Sequence, residues 1–215
     1  MAPIEVGISI LVMCIIVWRL IYPLVVKYKI QKRRIMKNGL RKKYPDIFRR
    51  YKIGRVYLLP SNICNAFTFV WSTDVYLTEK CKGVLGEDCR MAVILHEMGH
   101  HQSVPLVESV SNALVPFFPL LALAFLRILT SIPPEFFLLS LPCLFLITWL
   151  LFLWEKRKEE YRADNLAEEG GFGKALKKVL LISCVVEHKP LKISKLREIW
   201  HTHPSALNRI KHLAC

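Results

Sequence analysis

Charge is missing from two long stretches of this sequence, residues 109–126 and 136–154, and a third stretch, 6–26, is broken only by Arg19. Each has the length of a bilayer-spanning helix, about 20 residues. A helix buried in a soluble core is normally shorter and polar along one face. Hydrophobic residues make up 53% of the chain, above the roughly 45–50% of soluble domains, and the three runs hold the excess. Pro116 and Pro119 interrupt the second run, which spanning helices tolerate when neighbours satisfy the freed carbonyls. The alternative is an apolar hairpin packed on the soluble part of the chain.

Acidic residues are nearly absent from 27–55, where Asp46 stands among thirteen Lys and Arg. A nucleic-acid surface is one reading of so basic a stretch. Its place immediately after an apolar run fits better the positive charge that marks the cytoplasmic side and meets anionic headgroups. A lipid bilayer is therefore the expected partner, and nucleic acid is not. On this reading the first helix runs inward and residues 27–103 are cytoplasmic. The second and third helices form a hairpin with a short outer loop at 127–135. Everything after Glu155 is cytoplasmic, with Lys156, Arg157 and Lys158 at the boundary. The start, MAPIEV, has no basic leader and no evident cleavage site, so the first helix is expected to be a retained anchor.

No CxxC pair occurs, which argues against a cysteine zinc site. The seven cysteines (Cys14, Cys64, Cys81, Cys89, Cys143, Cys184 and Cys215) are odd in number. With the soluble ones expected in the cytoplasm, they read as reduced thiols, not a disulfide framework. Internal repeats and low-complexity linkers are also lacking.

Between the runs the pattern is α+β. Residues 55–59 read as a strand ending at Pro60. Residues 66–71 and 74–78 are rich in β-branched and aromatic residues, with Ser72-Thr73 as a hairpin turn. Asp88 is a candidate N-cap for a helix over 89–102. The third apolar helix is expected to continue into water as far as Glu168 and to end at Gly170, Gly171 and Gly173. Residues 174–187 read as an amphipathic helix, and Pro204 is suited to the first turn of a last one.

The chemistry lies in the run HEMGHH at 96–101. His96 and His100, at i and i+4, share a helix face, so two imidazoles can reach one Zn²⁺. Glu97 lies beside them and can take a proton from the attacking water and pass it to the leaving amine. Chance alone would place HExxH in roughly one such chain in a hundred. His101 points about 100° away on the helix and reads as a bystander. Catalytic zinc usually has three protein ligands, and residues 159–164 offer the missing one. There Glu160 and Asp164 share a face. Glu160 could ligate while Asp164 accepts the free N–H of a zinc histidine and fixes its tautomer.

At this point the sequence resembles the M48 metallopeptidases, in particular the HtpX-like group. Asn65-Ala66-Phe67 resembles the family's NAF strand, and HEMGH matches its HExxH. Residues 160–164, EYRAD, look like its E-[FY]-x-A-D signature. Thr202-His203-Pro204 with Arg209-Ile210 looks like its C-terminal HP…RI. The likeness runs from about residue 55 to 213. It implies Glu160, not Glu159, as third zinc ligand. It implies Asn65, Ala66 and Phe67 as an edge strand that pairs with a peptide substrate. It also implies His203 and Arg209 near the cleft, where they stabilise the oxyanion or order the site. One membrane helix precedes the motif, where HtpX-type enzymes show two and Ste24-type enzymes more.

The expected fold is thus α+β: about three transmembrane helices with a cytoplasmic zincin-like (gluzincin) domain that holds a small β-sheet and the HExxH helix. The units are an anchor at 1–26, a basic segment at 27–54, a first catalytic part at 55–103, a membrane hairpin at 104–154 and a second catalytic part at 155–215. The expected activity is a zinc endopeptidase acting on protein substrates in or near a cell membrane. The alternatives are a Ste24-like prenyl-protein protease, an intramembrane protease of the site-2 type, and an inactive zinc-bound scaffold. The sequence leaves the oligomeric state open.

Overall fold

The computed structural model describes residues 17, 21, 39–69, 72–101, 134–186 and 190–213. The first two expected membrane runs fall almost wholly outside these residues. Among the described residues no helix is long and apolar enough to cross a membrane. The third run, 136–154, forms one continuous helix with the charged segment that follows it, as expected from the lack of any breaker at that junction.

Within the basic stretch, α1 (Gly39–Lys43) and α2 (Pro45–Arg50) are short helices that bury only Leu40 and Phe48. Three strands follow: β1 (Val56–Leu59), β2 (Ala66–Thr68) and β3 (Val75–Thr78). They form a mixed sheet in the order β1-β3-β2, with β1 parallel and β2 antiparallel to β3. Alternation along the strands gives the sheet two faces. Val56, Val75 and Leu77 join the main core with the helices. Tyr57, Tyr76 and Phe67 are register partners on the other face, and their rings stack at 4.9 and 5.3 Å.

Helix α3 (Glu79–Val84) is capped by Thr78, whose Oγ1 accepts from the Cys81 amide. Helix α4 (Glu87–Gly99) carries the HExxH residues and is buried nearly all round, from Cys89 through Gly99. That burial is why its apolar residues show no polar stripe. Its N-cap is Gly86, not the expected Asp88. Asp88 sits in the first turn, where a carboxylate suits the helix dipole, and it accepts from the Tyr44 hydroxyl.

Helix α5 (Pro134–Glu169) ends at Gly170-Gly171, with Gly171 at φ +83°. Gly173 begins α6 (Gly173–Val186) instead of ending α5. Beyond Trp154, α5 buries Glu160, Ala163, Asp164, Leu166 and Ala167, the 3–4 spacing of one helix face. It packs along both α4 and α6. A short helix α7 (Lys195–Ile199) was not expected from the sequence. The last helix, α8 (Ala206–His212), starts after Ser205, which caps it. Pro204 therefore precedes the cap and does not lie in the first turn.

The cysteine expectation is corrected. Cys64 and Cys81 form a disulfide with Cα atoms 4.5 Å apart, while Cys89, Cys143 and Cys184 are free thiols. Residue spacing carried no sign of the pair. It arises because β2 runs antiparallel to β3, which brings the residue before Asn65 onto the first turn of α3.

Candidate metal centre

The HExxH helix presents its histidines at its C-terminal end. His96 lies in the last turn. His100 is the C-cap residue but keeps right-handed helical angles, φ −65° and ψ −16°, so the i, i+4 facing holds across the helix end. Their rings lie 4.9 Å apart and nearly perpendicular.

The third group arrives because α4 and α5 come unusually close. A Cβ built on Gly99 would stand 3.0 Å from Ala163 Cβ and 3.1 Å from its carbonyl oxygen, and closer still to Ala163 Cα. Glycine at one position and alanine at the other let the backbones meet. One turn before that contact, Glu160 faces both histidines. His96 Nε2 is 3.6 Å from Glu160 Oε2, and His100 Nε2 is 3.6 Å from Glu160 Oε1.

One ligand atom from each of His96, His100 and Glu160 can be chosen so that all lie within 4.8 Å of one another. Ligands at about 2.0–2.2 Å from a tetrahedral Zn²⁺ stand about 3.4 Å apart, so this set fits zinc. Asp164, fully buried, accepts from His96 Nδ1 at 2.9 Å. That bond leaves Nε2 as the lone-pair nitrogen aimed at Glu160. His101 lies outside the group.

Arg209, on α8, ties the carboxylates together. Its Nε and Nη2 donate to the two Asp164 oxygens at 2.8 and 2.6 Å, and Nη1 is 3.0 Å from Glu160 Oε2. Its Nη2 also lies 3.4 Å from His96 Nε2. His203 Nδ1 donates to Glu160 Oε1 at 2.8 Å, while its side chain is 70% exposed.

These contacts set the charges. Burial pushes the Asp164 carboxyl up, but hydrogen bonds from Arg209 and His96 outweigh it and hold it below the usual range. At Glu160 burial is likewise outweighed, by His203, Arg209 and His96, and its carboxyl falls to about 2. Glu97 goes the other way. Burial raises its carboxyl to about 7, only partly opposed by His96. Two neighbouring carboxylates are thus kept ionised while a third titrates near neutrality.

The substrate residues named from the sequence lie beside this centre. Ala66 and Phe67 are in β2, an edge strand of the sheet, and Asn65 immediately precedes it. The Asn65 amide donates to Thr78 Oγ1 at 3.0 Å, and Asn65 Oδ1 accepts from the Ala66 amide at 2.9 Å. Thr68 Oγ1 donates to the Glu97 carbonyl at 3.4 Å, joining β2 to the motif helix.

Two residues that sequence reasoning missed hold the C-terminal segment in place. Arg157 Nη1 donates to the carbonyls of Glu198, Ile199 and His201. Glu198 accepts from the Ser205 amide and from the Asn208 side chain. The only signal available for them was their position on either side of the expected motifs.

An HExxH helix whose two histidines face a buried, ionised glutamate is the arrangement seen in metallopeptidases. The chain belongs to peptidase family M48, whose pattern matches residues 46–214. No curated protein matches it by sequence. Among solved structures it is similar to the Ste24p protein of S. mikatae, with a TM-score of 0.69 and 17% identity. That match covers 93% of this chain and 55% of the other. The chain therefore spans about half the length of that relative, and at such identity the likeness concerns the fold. The family resemblance read from the four sequence motifs is borne out.

Proposed function

We propose that the chain is a membrane-bound zinc endopeptidase of the HtpX-like type. The observation that carries this is the convergence of His96, His100 and Glu160, with Asp164 on the outer nitrogen of His96. These residues would hold the zinc. When bound, it supplies Lewis acidity toward the scissile carbonyl and the attacking water.

The protein's own groups do the rest. An extended peptide adds to the edge of β2 at Ala66 and Phe67, with Asn65 at the end of the pairing. Glu97, titrating near 7, takes the proton from water and returns it to the leaving amine. As an imidazolium, the exposed His203 can keep Nδ1 on Glu160 and offer Nε2–H to the developing oxyanion. Arg209, already committed to Asp164 and Glu160, orders the ligands and is not free for the oxyanion.

The membrane reading rests on the uncharged run 136–154, whose Phe145, Leu146, Ile147 and Leu151 side chains are exposed. The cytoplasmic placement of the catalytic part rests on the basic run. The Cys64–Cys81 bond weighs against that placement, because disulfides persist in oxidising compartments. Thiol trapping in intact cells separates the two: a bond found oxidised throughout puts the catalytic part on the non-cytoplasmic side.

The fold likeness to Ste24p favours a second reading in which the substrate is a prenylated protein. The test of the main proposal is casein or membrane-protein hydrolysis by the purified protein. Glu97→Gln should retain zinc and lose at least about 10²-fold in turnover. If Glu97→Gln cleaves as fast as the parent, the mechanism is wrong. If only peptides with a lipidated C-terminal cysteine are cleaved, the second reading replaces the first.

A further inference from the structure

One exposed tryptophan marks the point where α5 changes from uncharged to charged, and a second lies on the segment that packs against that part of the helix. Trp154 is the last residue of the apolar run and is 50% exposed, and Trp200, the C-cap of α7, is 57% exposed. The segment around Trp200 is held to α5 by Arg157, which donates to the carbonyls on both sides of Trp200, those of Ile199 at 2.9 Å and His201 at 3.3 Å. Arg157 is three residues beyond Trp154, a rise of about 4.5 Å along the helix. Trp154 and Ile199 line one open cleft of about 280 Å³, with Arg157, Lys158 and Tyr161.

The residues around Trp200 have a composition of their own. Leu191, Ile199 and Trp200 are exposed apolar side chains, and Lys192 and Arg197 are exposed cations among them. On the facing helix the Lys158 ammonium sits 3.3 Å from the centre of the Trp154 ring. Exposed tryptophan with flanking Lys and Arg is the chemistry of the headgroup layer of a bilayer, which solvates the apolar ring and attracts the cations. A water-facing loop gains nothing from three exposed large apolar side chains, and a protein partner has no reason to lie level with the end of an apolar run.

We propose that the segment 191–200 is a second, non-spanning membrane contact that seats Trp200 and Ile199 in an anionic phospholipid surface, beside Trp154. This rests on the reading of 136–154 as a membrane helix. It has a mechanical consequence. His203, three residues beyond Trp200, donates to Glu160, so the lipid surface would fix one end of the segment that reaches the metal centre.

The test uses the full chain in bilayers containing brominated lipids, with single tryptophans left at 149 or at 200 and the others changed to Phe. The proposal expects both to be quenched, Trp149 more by bromine deep in the acyl chain and Trp200 more by bromine near the headgroup. Quenching of Trp149 without Trp200 overturns the proposal and leaves the membrane helix standing. Quenching of neither overturns both. Should the multiply substituted chains fail to fold, the unaltered protein serves. Tryptic cleavage after Lys192 and Arg197 should slow several-fold when phosphatidylglycerol is added to phosphatidylcholine bilayers. An unchanged cleavage rate refutes the contact.

Discussion

The contact between Gly99 and Ala163 should be a sensitive point for metal binding, although neither residue offers a ligand atom to the metal site. Replacing Gly99 by Ala adds a methyl carbon within 3.0 Å of Ala163 Cα, inside the backbone of α5, where no rotamer change can relieve it. Restoring an ordinary contact requires α4 and α5 to part by at least about 0.5 Å. Zinc sites tolerate about 0.2 Å in ligand distance, so the shift is more than twice what the three ligands can absorb. Glu160 is on the helix that moves, and the histidines are on the other. The stability change is smaller than the binding change: overpacking costs about 1–3 kcal/mol, and alanine returns roughly 0.5–1 kcal/mol over glycine in a helix. Zinc affinity, measured by competition with a chromophoric chelator, should fall by at least about 10–100-fold, the loss typical of disturbing even the supports of metal ligands. Ala163→Gly added to Gly99→Ala should not rescue, because the clash is with Cα. Gly83, on α3 with nothing within 4 Å of a built Cβ, is the control, and Gly83→Ala should leave zinc affinity unchanged. If Gly99→Ala holds zinc as tightly as the parent, the close approach does not position Glu160 and the reasoning fails.

Other perturbations follow from the same contacts. Arg209→Ala strands the buried Asp164 and Glu160 carboxylates and should cost about 3–5 kcal/mol in denaturant unfolding of the metal-free protein. Arg209→Lys keeps the charge but not the fork and should fall between the two. Asp164→Asn removes the charge and one of the two acceptor oxygens, and its NH2 group can turn toward His96 and favour the other tautomer, so zinc affinity should drop about 10–100-fold. A parent-like affinity would show that Asp164 serves only Arg209. Reducing the Cys64–Cys81 bond, or changing both residues to Ser, should lower stability by about 3 kcal/mol for a loop of 17 residues. The Ser double variant should then show no further response to reductant.

Much of the centre was legible because its chemistry repeats at helical spacing. His96 and His100, and Glu160 and Asp164, are each i, i+4 pairs, and that periodicity survives in a one-dimensional string. That Asp164 would meet one of the motif histidines followed from the same spacing, but which one, His96, did not. Arg209 was placed near the cleft by its motif, but its choice between oxyanion and carboxylates depended on a distance across three helices. The disulfide escaped for a related reason. Cys64 and Cys81 meet through the β2–β3 register, and nothing local marks them. Helix starts were displaced by two residues at Asp88 and Pro204: Asp88 lies in the first turn after Gly86, and Pro204 lies just ahead of the Ser205 cap. Helix α7 is only five residues long, too short for a periodic signal.

The residues of the candidate metal centre lie on both sides of a long intervening stretch, with His100 about sixty residues before Glu160 and their partner Arg209 later still. A ribosome makes them in that order. The nascent chain therefore exposes its HExxH helix well before the carboxylate and the guanidinium that complete the centre. Two histidines alone hold zinc poorly, and Glu97 acquires its raised carboxyl only when the surrounding helices bury it. Assembly of the fold therefore builds the centre: the carboxylates meet the histidines only when α5 packs on α4, and Arg209 joins them only when α8 docks.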